Sequence, residues 1–287
     1  GDRPCTSTTW RSESVLECVT PPAKNTLIDQ QQQEQLMVEN NMLFSKITNG
    51  EDTTFSYRPM KIKSVSPMHG PTEGGTILTI TGENFGYKDH SPEVFVGKYP
   101  CMGVQWMSPT TIQCATAPGV GDDNEVTMVI EGTKAISEKL LFVFDLPEIL
   151  SITGTSSPTV GNRTFTIYGK NFGTSASRPV ITVGGVPCMF QRRISHAEME
   201  CSTPPGVGRE KRVVVASGHR YSRQIDFVIN YDPPVIASIT PKHGPTTGGY
   251  AVSIRGANFG TGAYAPVLTF RPDAWLIDVL GRASATY

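Results

Sequence analysis

The sequence predicts an all-β protein built from tandem β-sandwich units. Three observations predict it. Six cysteines form three pairs with one common spacing, and a block of sequence recurs every 87 residues. Within each block, short apolar–polar alternations are separated by glycine- and proline-rich turns, the pattern of a sandwich rather than a helical fold.

The cysteines come first. Cys5 and Cys18, Cys101 and Cys114, and Cys188 and Cys201 are each 13 positions apart. A disulfide closing such a loop stabilises a unit by roughly 3 kcal/mol on the loop-entropy account. Zinc is the competing reading of paired cysteines. Zinc sites need closer pairs, or histidines at ligand spacing, and neither occurs here. The spacing therefore favours three disulfides and an oxidising compartment. Two positions before each second cysteine stand Leu16, Ile112 and Met199, which are expected to point into a core. Trp10 and Trp106 occupy matching positions, where the third unit has Arg193.

The repeat comes next. Gly82-Glu83-Asn84-Phe85-Gly86, Gly169-Lys170-Asn171-Phe172-Gly173 and Gly256-Ala257-Asn258-Phe259-Gly260 follow one another at 87-residue intervals. Ile62, Ile149 and Ile236 keep the same interval, as do Ser64, Ser151 and Ser238. The expected units are 1–58, 59–146, 147–231 and 232–287, of which only the middle two are complete. The first unit carries an insertion within 25–49, and the fourth diverges from 271 onward. A chain with partial units at both ends is expected to be a window on a longer array.

Within a unit the apolar period is two, as in Thr76-Ile77-Leu78-Thr79-Ile80-Thr81, Val94-Phe95-Val96 and Val126-Thr127-Met128-Val129-Ile130. Glycine and proline number 28 and 22, about 17% together against a usual ~12%. In the Gly-x-Asn-Phe-Gly loops, both glycines are expected at positive φ, the asparagine to bond its own backbone, and the phenylalanine to plug the core. A phosphate-cradling loop would instead lead into a helix, and no helical period follows.

These residues resemble the IPT/TIG domain, an immunoglobulin-like sandwich found in plexins and transcription factors. The resemblance rests on Ile62-x-Ser64-Val-Ser-Pro67-x-x-Gly70-Pro71-x-x-Gly74-Gly75-Thr76, on the Gly-x-Asn-Phe-Gly loops, on Val96-Gly97, and on Ile112-x-Cys114. Cys18-Val-Thr-Pro-Pro22 and Cys201-Ser-Thr-Pro-Pro205 match a further family pattern. The third unit departs at Thr155-Ser156-Ser157, so its first turn is expected to differ. The resemblance implies immunoglobulin-like sandwiches placed end to end as a rod. With paired cysteines, it points to the extracellular branch of plexin-like and fibrocystin-like surface proteins.

The remaining candidates are individually weak. Asn162-Arg163-Thr164 is the single glycosylation sequon, and Asn162 falls on Gly75 and Gly249 by register, in an exposed turn. The insertion around Gln30-Gln31-Gln32-Gln33 reads as a solvated hairpin or, alternatively, a contact surface. Asp122-Asp123-Asn124-Glu125 has oxygen ligands of the kind calcium uses, but reads better as a solvated turn. The histidines at 69, 90, 196, 219 and 243 are scattered. No nucleophile elbow or zinc-protease helix occurs, so no enzyme, metal or cofactor is expected. A formal charge of -1 supplies no footprint for nucleic acid, and no apolar run is long enough to span a bilayer.

The expected function is a non-catalytic, extracellular structural or adhesive array whose partners are other protein chains, including copies of itself in a fibre. The alternatives are a plexin-like receptor stalk and a carbohydrate-binding accessory module of a secreted enzyme. The Asp145-Leu-Pro147 and Asp232-Pro-Pro234 junctions are short and proline-stiffened, which suits stacked units.

Overall fold

The computed structural model describes residues 4–22, 34–35, 38–40, 43–44, 54–55, 57–262 and 266–270. Strands dominate, and a three-residue 3-10 turn at Ser175–Ser177 is the one helical element among the described residues.

Alternation becomes a sandwich in residues 61–144. Ile77–Glu83 buries Leu78, Ile80 and Gly82, and Asn124–Ile130 buries every second residue in the same way. Each strand thus presents one apolar face, which has to be covered by a second sheet. One sheet runs Met102–Ser108, Thr111–Ala115, Ile77–Glu83, Lys61–Ser66, Ile136–Ser137. The facing sheet runs Tyr99–Pro100, Glu93–Val96, Asn124–Ile130, Leu141–Phe144, His69–Gly70. Between them Ile62, Leu78, Ile80, Phe85, Ile112, Met128 and Phe142 are closed to solvent. Each such side chain contributes roughly 1.5–3 kcal/mol relative to exposure.

Residues 148–231 repeat this plan with 87-residue fidelity. Ile149, Phe165, Ile167, Phe172, Met199, Val215 and Ile229 are buried at the equivalent positions. The Thr155-Ser156-Ser157 turn, despite its different sequence, keeps its place. Ser156–Ser157 pairs in parallel with Val228–Tyr231, as His69–Gly70 pairs with Leu141–Phe144. A Cβ at Gly70 would collide with Thr76 Oγ1, whereas the equivalent Ser157 is buried and its hydroxyl meets Thr203 Oγ1 at 2.6 Å.

The three disulfides join Cys5–Cys18, Cys101–Cys114 and Cys188–Cys201, with Cα–Cα distances of 5.6, 5.8 and 5.7 Å, and no cysteine is free. Cys101 N–H bonds Val94 O in one sheet, while Cys114 lies on Thr111–Ala115 in the other, so the bond staples the two sheets. Cys188 and Cys201 repeat this, with Cys188 N–H on Ile181 O.

The first and fourth units present two-stranded ladders rather than a sandwich among the described residues, including Ser7–Ser12 with Val15–Val19 and Val235–Thr240 with Ser253–Ala257. Leu16, expected in a core, is 48% exposed because no opposing sheet covers it among the described residues. In the insertion, Glu34–Gln35 pairs Thr54–Phe55 and Glu39–Asn40 pairs Leu43–Phe44, both antiparallel. The glutamine run at 30–33 and the divergent stretch from 271 lie outside the described residues.

A tyrosine closes two of the units. Tyr231 Oη donates to Pro204 O at 2.7 Å, and Tyr57 Oη donates to Pro21 O at 2.5 Å. Phe144 holds the same register position in the second unit. Its tolerated ring shows that the hydroxyl is the separable part. Tyr231→Phe is therefore expected to lower stability by about 1 kcal/mol. The check is the unfolding midpoint, and an unchanged midpoint would mean the bond contributes nothing net.

Candidate functional site: the repeated joint between units

The Gly-x-Asn-Phe-Gly loop has two faces. Phe85 and Phe172 point inward and are fully buried, with their N–H groups bonded to Pro109 O and His196 O. Asn84, Asn171 and Asn258 are all in the left-handed region, at φ 62, 59 and 60. That backbone turns the carboxamide away from the core. Gly86, Gly173 and Gly260 also have positive φ, as expected. Gly82, Gly169 and Gly256 do not, and their need is steric. A Cβ there would lie 2.0, 2.0 and 1.9 Å from the carbonyl oxygens of Lys61, Glu148 and Val235.

The asparagine does not close on its own turn, contrary to expectation. Its amide nitrogen donates to the chain leading into its own unit: Asn84 Nδ2 to Pro59 O at 3.1 Å, and Asn258 Nδ2 to Pro233 O at 3.3 Å. Its carbonyl oxygen reaches across to the preceding unit. Thr72 N–H donates to Asn171 Oδ1 at 3.1 Å, and Gly173 N–H donates to Thr72 Oγ1 at 3.3 Å. The next joint repeats this, with Thr159 N–H to Asn258 Oδ1 at 3.4 Å and Gly260 N–H to Thr159 Oγ1 at 3.3 Å.

Thr72 and Thr159 are buried, so leaving these groups unmade would carry a desolvation cost. Their own carbonyls are used inside their units, accepting from Gly119 and Gly206 N–H. Each threonine is thus bonded on both sides of a joint.

The first of these joints is reinforced at its rim. His196 Nε2 meets Glu73 Oε2 at 3.1 Å across it, and Arg220 Nη1 stands 3.9 Å from Asp122 Oδ2. Val120 enters where only glycine fits. A Cβ at Gly218 would be 2.7 Å from Val120 Cβ, and one at Gly173 would be 3.0 Å from Val120 Cγ1. Trp106 and Arg193, which differ in sequence, do one job. Trp106 Nε1 donates to Phe85 O at 3.1 Å and Arg193 Nε donates to Gly173 O at 2.9 Å, each bracing its loop from behind.

The other sequence candidates sit elsewhere. Asp123 pairs with Lys139 at 2.9 Å, and that hydrogen bond raises the lysine pKa. Asn124 is buried and its amide bonds Val120 O and Phe142 O. With Asp122 turned toward Arg220, the 122–125 turn is held by protein groups. Among the described residues no three His, Cys, Asp or Glu side chains gather as a metal site. His69 pairs with Asp145 at 3.2 Å and His90 with Glu131 at 3.0 Å, apart from one another. Asn162 is exposed at φ 63, where Gly75 and Gly249 have φ 78 and 75. Lys63 hydrogen-bonds Glu83 and holds its carboxyl below the usual range. No helix among the described residues is long and apolar enough to cross a membrane.

The IPT/TIG domain profile matches residues 60–144, 147–229 and 234–277. The chain belongs to the IPT/TIG domain family. It is 33% identical over 209 residues to Plexin-2 of Caenorhabditis briggsae, spanning 71% of this chain and 12% of that protein. It is 32% identical over 209 residues to Plexin-2 of Caenorhabditis elegans, again 71% and 12%. Among solved structures, the plexin A4 full extracellular region is similar at 26% identity, covering 60% of this chain and 18% of that one, with a TM-score of 0.32. This IPT/TIG array thus spans a small part of the plexin relatives it matches. Its three disulfides, with no cysteine left free, accord with an extracellular location.

The joint yields a residue-resolved prediction. Thr72→Val should speed hydrogen exchange at the Gly173 amide roughly fivefold or more, the equivalent of one net hydrogen bond. Asn171→Gly, which keeps the left-handed turn, should do the same at the Thr72 amide. Exchange measured by NMR on the whole chain checks both. Unaltered exchange would show that the joint opens freely.

Proposed function

We propose that the chain is a non-catalytic stalk segment of a plexin-like cell-surface ectodomain, whose work is to fix spacing and angle between units. One observation carries this reading: the same pair of threonine–asparagine–glycine bonds recurs at both joints, 87 residues apart. A flexible tether would not need a buried, bonded threonine at these two junctions. The similarity to the two Plexin-2 proteins supports the same reading. We take 59–146 and 147–231 as complete IPT/TIG units and 1–58 and 232–287 as parts of units. A fibre or adhesive array, the other reading of the sequence, has no comparable recurring feature behind it among the described residues.

The partners of such a stalk are other protein domains, held at a set distance by it. Sedimentation of the purified chain tests the choice. The stalk reading expects an elongated monomer at all concentrations, and concentration-dependent polymers would restore the fibre.

Glycosylation at Asn162 fits this setting, because the side chain is exposed in a turn and the sequon is complete. Chain secreted from a eukaryotic cell should lose a glycan mass on enzymatic deglycosylation. Asn162→Gln should migrate at the deglycosylated position from the outset. Identical masses for treated and untreated chain would remove the glycan from the account.

A further inference from the structure

The third unit carries a basic stretch that neither its core nor its joints require. Residues 209–212 read Arg-Glu-Lys-Arg, where the second unit has Asp122-Asp-Asn-Glu125 at the same register. Bases thus stand four, two and one positions before the peptide bond between Arg212 and Val213. That is the pattern taken by serine endoproteases of the secretory route, whose carboxylate-lined subsites select paired basic residues. The chain's other arginine pair, Arg192-Arg193, has Phe190 at the outermost of these positions. We propose that residues 209–212 are a cleavage site for such a protease, locked by the third sandwich and opened when the bond between Cys188 and Cys201 has not formed.

The recognition groups face outward. Arg209 and Arg212 are exposed, and Glu210 between them turns the chain at φ 56 before the strand begins. The bond itself is out of reach. Lys211–Ser217 is an inner strand of its sheet, paired with Val180–Val183 on one side and Val228–Tyr231 on the other. The carbonyl that a protease would attack, Arg212 O, accepts from Gly184 N–H at 2.8 Å. The nitrogen that would leave, Val213 N, donates to Phe227 O at 2.8 Å. Val213 is fully buried. Lys211 is held too: a Cβ at Gly184 would be 3.1 Å from its Cδ, so its stem lies along that turn. An extended peptide is recognised through its main-chain bonds and alternate side chains. Here those main-chain groups are already bonded within the sheet.

The Gly184 side of the lock is the one that the disulfide controls. Gly184 and Gly185, at φ 59 and 83, form the turn between Val180–Val183 and the two-residue strand Val186–Pro187. The next residue, Cys188, is bonded to Cys201 on Glu198–Ser202 in the opposite sheet. The disulfide therefore pins the end of the hairpin whose turn covers Arg212 O. Without it, two residue pairs and the Cys188 N–H bond to Ile181 O hold the hairpin, and so short a hairpin opens at low cost. The second unit has the same lock, with Gly97 N–H on Glu125 O and Val126 N–H on Leu140 O, but there it covers acidic sequence. The lock belongs to the repeat, and the bases belong to the third unit.

The step is a hydrolysis. Water adds its hydroxyl to the Arg212 carbonyl carbon, the bond to the Val213 nitrogen breaks, and that nitrogen leaves as an amine carrying the water's other proton. A chain that closes its staple keeps the third unit whole. A chain that fails to close it is cut within that unit.

The probe is a purified serine endoprotease specific for paired basic residues, applied to the whole chain and to a synthetic peptide of residues 205–218. The peptide should be cut after Arg212. The native chain should be cut at least roughly a hundredfold more slowly, because cleavage waits on the opening of a paired strand. Cys188→Ser with Cys201→Ser should bring the chain to within about tenfold of the peptide, with a new amino terminus at Val213. Arg212→Gln in that background should stop the cut. Cys101→Ser with Cys114→Ser, which unstaples the second unit instead, should leave the site shut. Should the chain lacking Cys188 and Cys201 not be recovered, Gly184→Ala strains the same turn at its positive φ with the disulfide in place, and should be cut several-fold faster than the native chain. A resistant peptide, or a native chain cut as fast as the peptide, overturns the proposal. So does an unstapled or Gly184→Ala chain as resistant as the native one, or equal opening by the second-unit variant.

Discussion

An asparagine held in the left-handed conformation ties the third and fourth units of this chain each to the one before it. Its backbone geometry is set by the neighbouring phenylalanine, which has to enter the core, and by the glycine before it, which has to pass close to a carbonyl of the incoming strand. With both flanks fixed, the carboxamide lies at the joint, its nitrogen on the incoming chain in Asn84 and Asn258 and its oxygen on the preceding unit in Asn171 and Asn258. Folding of one sandwich therefore builds the binding surface for its neighbour. The core and the joint are parts of one loop, so neither is free to change without the other.

This coupling explains the distribution of constancy and variation in the repeat. Positions 85, 172 and 259 are phenylalanine because the loop plugs a core, and positions 72 and 159 are threonine because one residue must both donate and accept across the joint. Elsewhere the units solve the same problem with different residues. Trp106 and Arg193 share a role because an indole and a guanidinium both offer an N–H to a loop carbonyl. Gly70 and Ser157 share a place, the one pressed against Thr76 Oγ1 and the other bonded to Thr203 Oγ1. Among the described residues the electrostatic rim at Glu73 and Asp122 belongs to one joint, consistent with the small contribution of exposed ion pairs.

Most of the fold was legible in the sequence. The cysteine spacing, the period-two strands and the phenylalanine of each loop are local or strictly periodic signals, and they map onto disulfides, sheets and buried rings. The joint was not legible, because its two halves are 99 residues apart and a hydrogen bond between units leaves no local pattern. One signal was available. In the third unit, where His-Gly gives way to Ser156-Ser157, the following Pro158-Thr159 survives at the interval of Pro71-Thr72. A threonine retained inside an otherwise rewritten turn indicates a role beyond the turn. The exposure of Leu16 was missed for a different reason: an apolar alternation says which face is to be covered, not whether a covering sheet is at hand.

The central claim is that the units are held at a fixed angle by the threonine–asparagine bonds rather than merely strung together by a short linker. The most direct measurement is the distance distribution between spin labels placed on the exposed faces of residues 59–146 and 147–231 in the whole chain. The account predicts one narrow distribution that broadens in Thr72→Val and Asn171→Gly. A broad distribution in the unaltered chain, insensitive to either substitution, would contradict it.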